Sequence, residues 1–126
     1  MNGVININKP QGFTSHDVVA RLRRILSTKK IGHTGTLDPD ATGVLPICVG
    51  NATKAAELLT AATKEYIAQV TLGAETDTQD SSGTVLHTAE VTVTESEIKA
   101  AVQAFVGEIM QIPPMYSAVR QNGKKL

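Results

Sequence analysis

The chain has no tryptophan, only two tyrosines and two phenylalanines, and a single cysteine in 126 residues. With aromatics at 3% and hydrophobic residues at 41%, its core has to be built from Val, Ile, Leu and Ala. Cys48 has no second cysteine to pair with, which excludes an internal disulfide and fits a reducing cytosol. No apolar run reaches the length of a membrane span, and Met1-Asn2-Gly3-Val4-Ile5-Asn6 lacks the basic start of a secretory signal. A cytoplasmic protein without membrane contact is expected. The glycine patterns of phosphate loops and dinucleotide-binding turns are both missing. His16, His33 and His87 are far apart and near no repeated ligand spacing, so no metal site is expected.

Net charge is also missing, since 12 basic residues balance 12 acids. Taken alone, that argues against a nucleic-acid binder. The distribution is uneven, however. Residues 1–64 hold eight Lys and Arg against four acids, a net +4, and residues 65–126 hold four against eight, a net −4. The basic half, with Arg21, Arg23, Arg24, Lys29, Lys30, Lys54 and Lys64, could form a phosphate-facing side or an ordinary solvated helix face.

What is present alternates between strand and helix signals. Val4, Ile5 and Ile7 form a short apolar run ended by Pro10 and Gly12, read as a strand and turn. Thr14-Ser15-His16-Asp17 has the form of a capping box with Asp in place of Glu, and Val18, Val19, Leu22, Ile25 and Leu26 follow at helical spacing. Residues 32–43 contain three glycines and a proline and read as loop; residues 44–49 read as a buried strand with Pro46 near its start. A short helix is expected over 52–62, with Ala56, Leu58 and Leu59 inward. Strands are expected over 66–72, 84–93 and 108–112, with polar loop at 73–83. Thr94-Glu95-Ser96-Glu97 is a full capping box, opening a helix with the stripe Ile98, Ala101, Val102, Phe105 and Val106 and with Gly107 at its C-terminal cap. No linker or repeat divides the chain. The fold class expected is α+β, a mixed, mainly antiparallel sheet with flanking helices.

The segment from Gly32 to Gly43 carries the most chemical information. Glycine lets a backbone approach a ligand closely, and Gly35 leaves open space where a side chain would block entry. Pro39 biases Asp38 toward an extended backbone. A carboxylate held beside a histidine and two threonine hydroxyls suits a nucleophile or a base, although Asp-Pro between glycines also suits a simple turn. Cys48, in an apolar strand, reads as an inert core thiol.

Gly32-His33-Thr34-Gly35-Thr36-Leu37-Asp38-Pro39, continuing through Ala41-Thr42-Gly43-Val44-Leu45-Pro46 and Gly50-Asn51-Ala52-Thr53-Lys54, resembles the signature of the TruB family of pseudouridine synthases. Three further blocks resemble that family in the same order. They are residues 7–19 (Ile7-Asn8-Lys9-Pro10 onward), Lys64-Glu65-Tyr66 with residues 72–80, and residues 111–119 around Pro113-Pro114-Met115-Tyr116.

The resemblance implies an isomerase that breaks the N-glycosidic bond of a uridine and joins uracil C5 to ribose C1′, without cofactor or metal. Asp38 matches the family's essential aspartate, whose role is open among nucleophile at C1′, nucleophile on the ring, and base at C2′. Tyr66 matches a tyrosine that stacks on the target base; core packing is its alternative. His33 matches a position that contacts RNA near the flipped base, with Gly35 and Thr36 beside it. Lys9 and Pro10 match an opening element that supports the catalytic loop. Asp77 and Asp80 are open between structural hydrogen bonding and substrate contact.

The substrate implied is uridine 55 in the T-arm stem-loop of tRNA, and the protein implied is a cytoplasmic monomer. Alternatives are an RNA-guided homologue and a non-catalytic RNA-binding or RNA-folding module. The resemblance also implies that residues 1–126 are the N-terminal portion of a catalytic domain. The arginine that pairs with the aspartate, and an RNA-binding domain of the PUA type, are then expected beyond Leu126, leaving this piece alone weak or inactive.

Overall fold

The computed structural model describes residues 1–112 and, as paired backbone, residues 120, 121, 124 and 125. Two compact units divide the chain, Met1–Tyr66 and Ile67–Leu126. The first runs β1 (Gly3–Lys9), α1 (Ser15–Ile25), β2 (Ile31–His33), β3 (Gly43–Val49), a 3-10 turn (Gly50–Ala55) and α2 (Ala56–Thr60). Its strands form one antiparallel sheet in the order β1-β3-β2. β1 pairs along its whole length with β3, from Gly3 opposite Val49 to Lys9 opposite Gly43. β2 pairs with the far end of β3, from Ile31 opposite Val49 to His33 opposite Ile47.

The side-chain period of two decides what this sheet buries. Leu45, Ile47 and Val49 of β3 cluster with Ile31 of β2 and with Val18 and Val19 of α1, while Ile5, Ile7, Phe13, Leu22, Leu26 and Leu37 pack around them. Cys48, on the opposite face of β3, is fully buried as well. The core is aliphatic, as the composition requires.

Pro46 sits in this central strand, where the ladder normally tolerates no proline. Its carbonyl accepts both the backbone N–H of Thr34 at 3.1 Å and the Thr34 hydroxyl at 3.2 Å. A strand residue directs its N–H and C=O to the same side. The donor missing from Pro46 therefore falls on the side where β2 has already ended at His33, and the pairing with β1 is untouched.

α1 begins as its sequence dictates. The Thr14 hydroxyl accepts from Asp17 N at 3.1 Å, and the Asp17 carboxylate accepts from Thr14 N at 2.9 Å. Two orphan donors of the first turn are satisfied reciprocally.

Several expectations are corrected. Residues 32 and 33, expected as loop, belong to β2 (Ile31–His33), because pairing with β3 overrides weak local propensity. The helix expected over 52–62 splits into the 3-10 turn and α2, and Leu58 is 77% exposed instead of inward. Residues 66–72 and 108–112, both expected as strands, form none, since no described segment pairs with them.

In the second unit β4 (Ala74–Thr76), expected as loop, pairs antiparallel with β5 (Val85–Thr88), which is shorter than the strand expected over 84–93. The turn between them is held by carboxylates. Asp80 accepts from the Thr78 hydroxyl at 2.7 Å and from Ser82 N at 2.8 Å, and Asp77 accepts from Thr84 N at 2.8 Å. A Cβ on Gly83 would collide with the Thr78 hydroxyl and the Asp77 carboxylate, so the turn needs glycine there.

α3 (Glu95–Gln103) opens on the expected box, with Glu97 accepting from Thr94 N at 2.8 Å. It ends before Gly107, whose φ of +100° lies beyond the Ala104 cap. Its apolar stripe is exposed, Phe105 at 70%, and none of residues 67–112 is buried. β6 (Arg120–Gln121) pairs antiparallel with β7 (Lys124–Lys125). The Pro113-Pro114 strand stop and the Met115–Val119 part of the last motif block lie outside the described residues.

Replacing Thr14 by Ala should lower stability by about 1 kcal/mol, read as a drop in urea midpoint without a change in slope. Hydrogen bonds from the Thr14 hydroxyl and backbone hold the Asp17 carboxyl below its ordinary 3.8, and the Thr94 backbone and hydroxyl hold Glu97 below 4.5. A carboxyl with a depressed folded pKa adds stability above its unfolded value and loses it as pH falls through the folded one. The wild-type urea midpoint should therefore drop between pH 6 and pH 3 by more than that of Asp17→Asn; equal drops would disprove the linkage.

Candidate active site

Asp38 lies in the segment joining β2 to β3, with its side chain exposed. Both of its chain neighbours are tethered to the stretch from the end of β1 to the start of α1. Leu37 N donates to the Ser15 hydroxyl at 2.9 Å, and that hydroxyl lies 3.4 Å from Leu37 O as its donor. Pro39 O accepts from Gly12 N at 2.8 Å and from Lys9 Nζ at 3.3 Å. Ala41 N donates to the Asp38 carbonyl at 3.1 Å, closing a turn, and the Leu37 side chain packs against the core. The backbone on either side of the carboxylate is thus fixed while the carboxylate itself stays open.

Lys9, the last residue of β1, is fully buried. Its ammonium donates to the carbonyls of Phe13 at 2.6 Å, Pro10 at 3.1 Å and Pro39 at 3.3 Å. An ammonium carries three donors and no acceptor, so three carbonyls match its capacity. Pro10 is exposed and takes part through that carbonyl.

A cleft of about 390 Å³ lies alongside the loop. Its lining comes from residues 34–37, before Asp38, from residues 42–46, after it, and from residues 62–66 together with Leu59. Gly35, Thr36 and Tyr66 are brought together in this one cleft, with Thr34 and Thr42 adding hydroxyls. Tyr66 is 66% exposed, which rules out core packing. Asp38 stands between the two lining stretches in sequence but is not itself among the lining residues.

His33 sits just outside the cleft, at the end of β2. Its Nδ1 is buried without a hydrogen-bond partner among the described residues, a costly condition for a polar atom. Asp77 and Asp80 are occupied in the hydrogen bonds of the β4–β5 turn.

The tethers Gly12 and Ser15 were invisible as site residues in the sequence. The one available signal was the second hydroxyl in Thr14-Ser15, since a helix cap uses only one. Along α1 a second, more open groove of about 610 Å³ is lined by Arg21 and Arg24 with Asp17, Gly12 and Phe13. Among the described residues the one ion pair is Glu95 with Lys99, at 2.6 Å, so these arginines share the groove with Asp17 without pairing directly to it. The described residues contain no group of three His, Cys, Asp or Glu able to hold a metal, and no helix long and apolar enough to cross a membrane.

The family model described as the N-terminal domain of TruB family pseudouridylate synthase matches residues 23–126. A protein named tRNA pseudouridine synthase B from Geobacillus thermodenitrificans is 56% identical over the whole of this chain, which covers 42% of that protein. The protein of the same name from Alkaliphilus oremlandii is 57% identical, again across the whole chain and 42% of its own length. The chain thus spans less than half the length of these curated relatives.

Among solved structures, a chain of a Cbf5-Nop10-Gar1 complex superposes with a TM-score of 0.63 at 34% identity, covering 94% of this chain and 31% of that one. One from the archaeal box H/ACA Nop10-Cbf5 complex gives 0.59 at 36% identity, covering 86% and 30%. Identity across the whole of this chain and a shared α+β fold agree, and the chain belongs to the TruB family of pseudouridylate synthases.

Proposed function

We propose that this chain is the aspartate-bearing part of an enzyme that converts uridine 55 in the T-arm of tRNA to pseudouridine, with Asp38 as its catalytic carboxylate. The observation that carries the reading is the exposed carboxylate of Asp38, tethered through Leu37 and Pro39 and flanked in sequence by the two stretches that line the cleft holding Tyr66. A reacting group held on a fixed backbone keeps near-attack geometry without reorganising.

In the reaction the N1–C1′ bond breaks, the uracil turns, C5 bonds to C1′, and the C5 proton is released while N1 gains one. Three roles suit Asp38: attack at C1′, attack on the ring, or removal of the C2′ proton. The target must leave its stack before a carboxylate can reach it. Unstacking costs a few kcal/mol, offset by stacking on Tyr66 of about 1–3 kcal/mol and by phosphate contacts along the basic first half. Gly35 and Thr36 shape the cleft, His33 contacts the RNA near the flipped base, and Lys9 with Pro10 supports the loop.

The partner is tRNA, taken up without metal or cofactor by a cytoplasmic monomer. The RNA-guided reading is less favoured, because the whole-chain relatives at 56–57% identity are named tRNA pseudouridine synthase B, against 34–36% for the Cbf5 chains. The 126-residue chain alone should release little product, and the active form is a protein of the relatives' length.

That longer protein, given bare tRNA tritiated at uridine C5, should release tritium without any other protein. Asp38→Asn should cut the rate by roughly 10²–10⁴-fold, the span a general base contributes. Equal release by both proteins would sink the catalytic assignment, and release by neither would favour a binding module. Tyr66→Ala should weaken substrate binding by roughly 5- to 150-fold, the equivalent of one lost stacking contact. Lys9→Met should cost about 2–3 kcal/mol in urea unfolding, because it removes a charged donor from buried carbonyls.

A further inference from the structure

Among the described residues, Lys64 is the one cationic side chain on the wall of the cleft beside Asp38. Its Nζ donates to the carbonyls of Thr60 at 2.5 Å and Ala62 at 3.0 Å, acceptors left unpaired where α2 ends. The ammonium has three donors, so this anchoring leaves one unspent. Its stem runs past the glycine of the loop, since a Cβ built on Gly35 would lie 3.9 Å from Lys64 Cε. The ammonium is therefore pinned to main chain at the cleft wall, next to the backbone that leads into Asp38. Among the described residues no carboxylate pairs with it. The neighbouring Glu65 also lines the cleft, but as an acid it would repel an anion.

We propose that Lys64 binds a backbone phosphate of the RNA beside the target uridine, so that this one contact sets where the flipped nucleotide stops. The proposal rests on the uridine-isomerising reading of the cleft. A nucleotide turned out of its stack carries a phosphate on each side, and these must pass the cleft wall before the base can meet Tyr66. A cation already anchored by two carbonyls has less conformational freedom to lose on binding than a free surface lysine. The carbonyl anchoring and the open third donor are what an ordinary helix-capping lysine and a phosphate ligand share, so the experiment must separate them.

Binding of unmodified tRNA to the protein of the relatives' length would be followed between about 50 and 200 mM salt. Three variants are compared with wild type: Lys64→Met, Lys64→Gln (which keeps a donor for the carbonyls and drops the charge) and Lys64→Arg. Loss of one phosphate contact should lower the slope of log K against log salt by about 0.7–0.9 in the Met and Gln proteins, with Arg restoring it. A wild-type slope in the Gln protein would overturn the proposal, and a lowered thermal midpoint with that slope would leave Lys64 as a helix cap alone. Wild-type tritium release from the same tRNA is the parallel control. If wild type neither binds nor reacts, the functional reading fails and takes the proposal with it; if it does both while the slope ignores Lys64, only the phosphate contact fails.

Discussion

The first unit is organised around a buried positive charge that, among the described residues, has no negative partner. Lys9 carries its ammonium into a fully enclosed position and surrounds it with the carbonyls of Pro10, Phe13 and Pro39. Burying an ion without compensation is among the most expensive things a fold can do. Here the compensation is three carbonyl dipoles, two from the turn after β1 and one from the loop that carries Asp38. The position of Pro39 is therefore coupled to the position of β1, and β1 is locked to β3 along its whole length. A carboxylate partner would have neutralised Lys9 equally well, but it would have placed a second acid near Asp38.

The rest of the loop follows from that arrangement. Ser15 holds Leu37 from the first turn of α1, Leu37 anchors its side chain in the core, and Gly12 adds a second donor to Pro39 O. Thr34 caps the open carbonyl of Pro46, so the same central strand that completes the core also fixes where the loop begins. Hydrophobic packing supplies most of the cohesion, and a few directional hydrogen bonds convert it into a position for one side chain. Asp38 and Tyr66 stay exposed on this frame because their neighbours, and not they themselves, make the holding contacts.

Features whose cause is local were legible in the residues. Both capping boxes form as the spacing requires, because donor and acceptor lie three residues apart. The short apolar run of residues 4–7 and the aliphatic run of residues 44–49 marked the strands that became β1 and β3. β2 was hidden because Gly32 and His33 have little strand preference, and only the partner β3 makes them a strand. Residues 66–72 failed in the opposite direction, with a strand pattern and no described partner. At the site, motif order pointed to Asp38, Tyr66 and His33, but nothing in the motifs showed that Ser15 and Gly12 hold the loop, since their partners lie more than 20 residues away in sequence.

By itself the sequence determined the aliphatic core, the helix starts, the α+β class and the family, all of which depend on composition, short-range spacing or motif order. The tertiary structure decided which strand pairs with which and that Lys9 is buried against carbonyls. It also decided that Gly35, Thr36 and Tyr66 share one cleft while Asp38 stands beside it. Those outcomes depend on backbone groups meeting across long separations. A backbone carbonyl is the same in every residue, so no amino-acid letter marks the one that will be used.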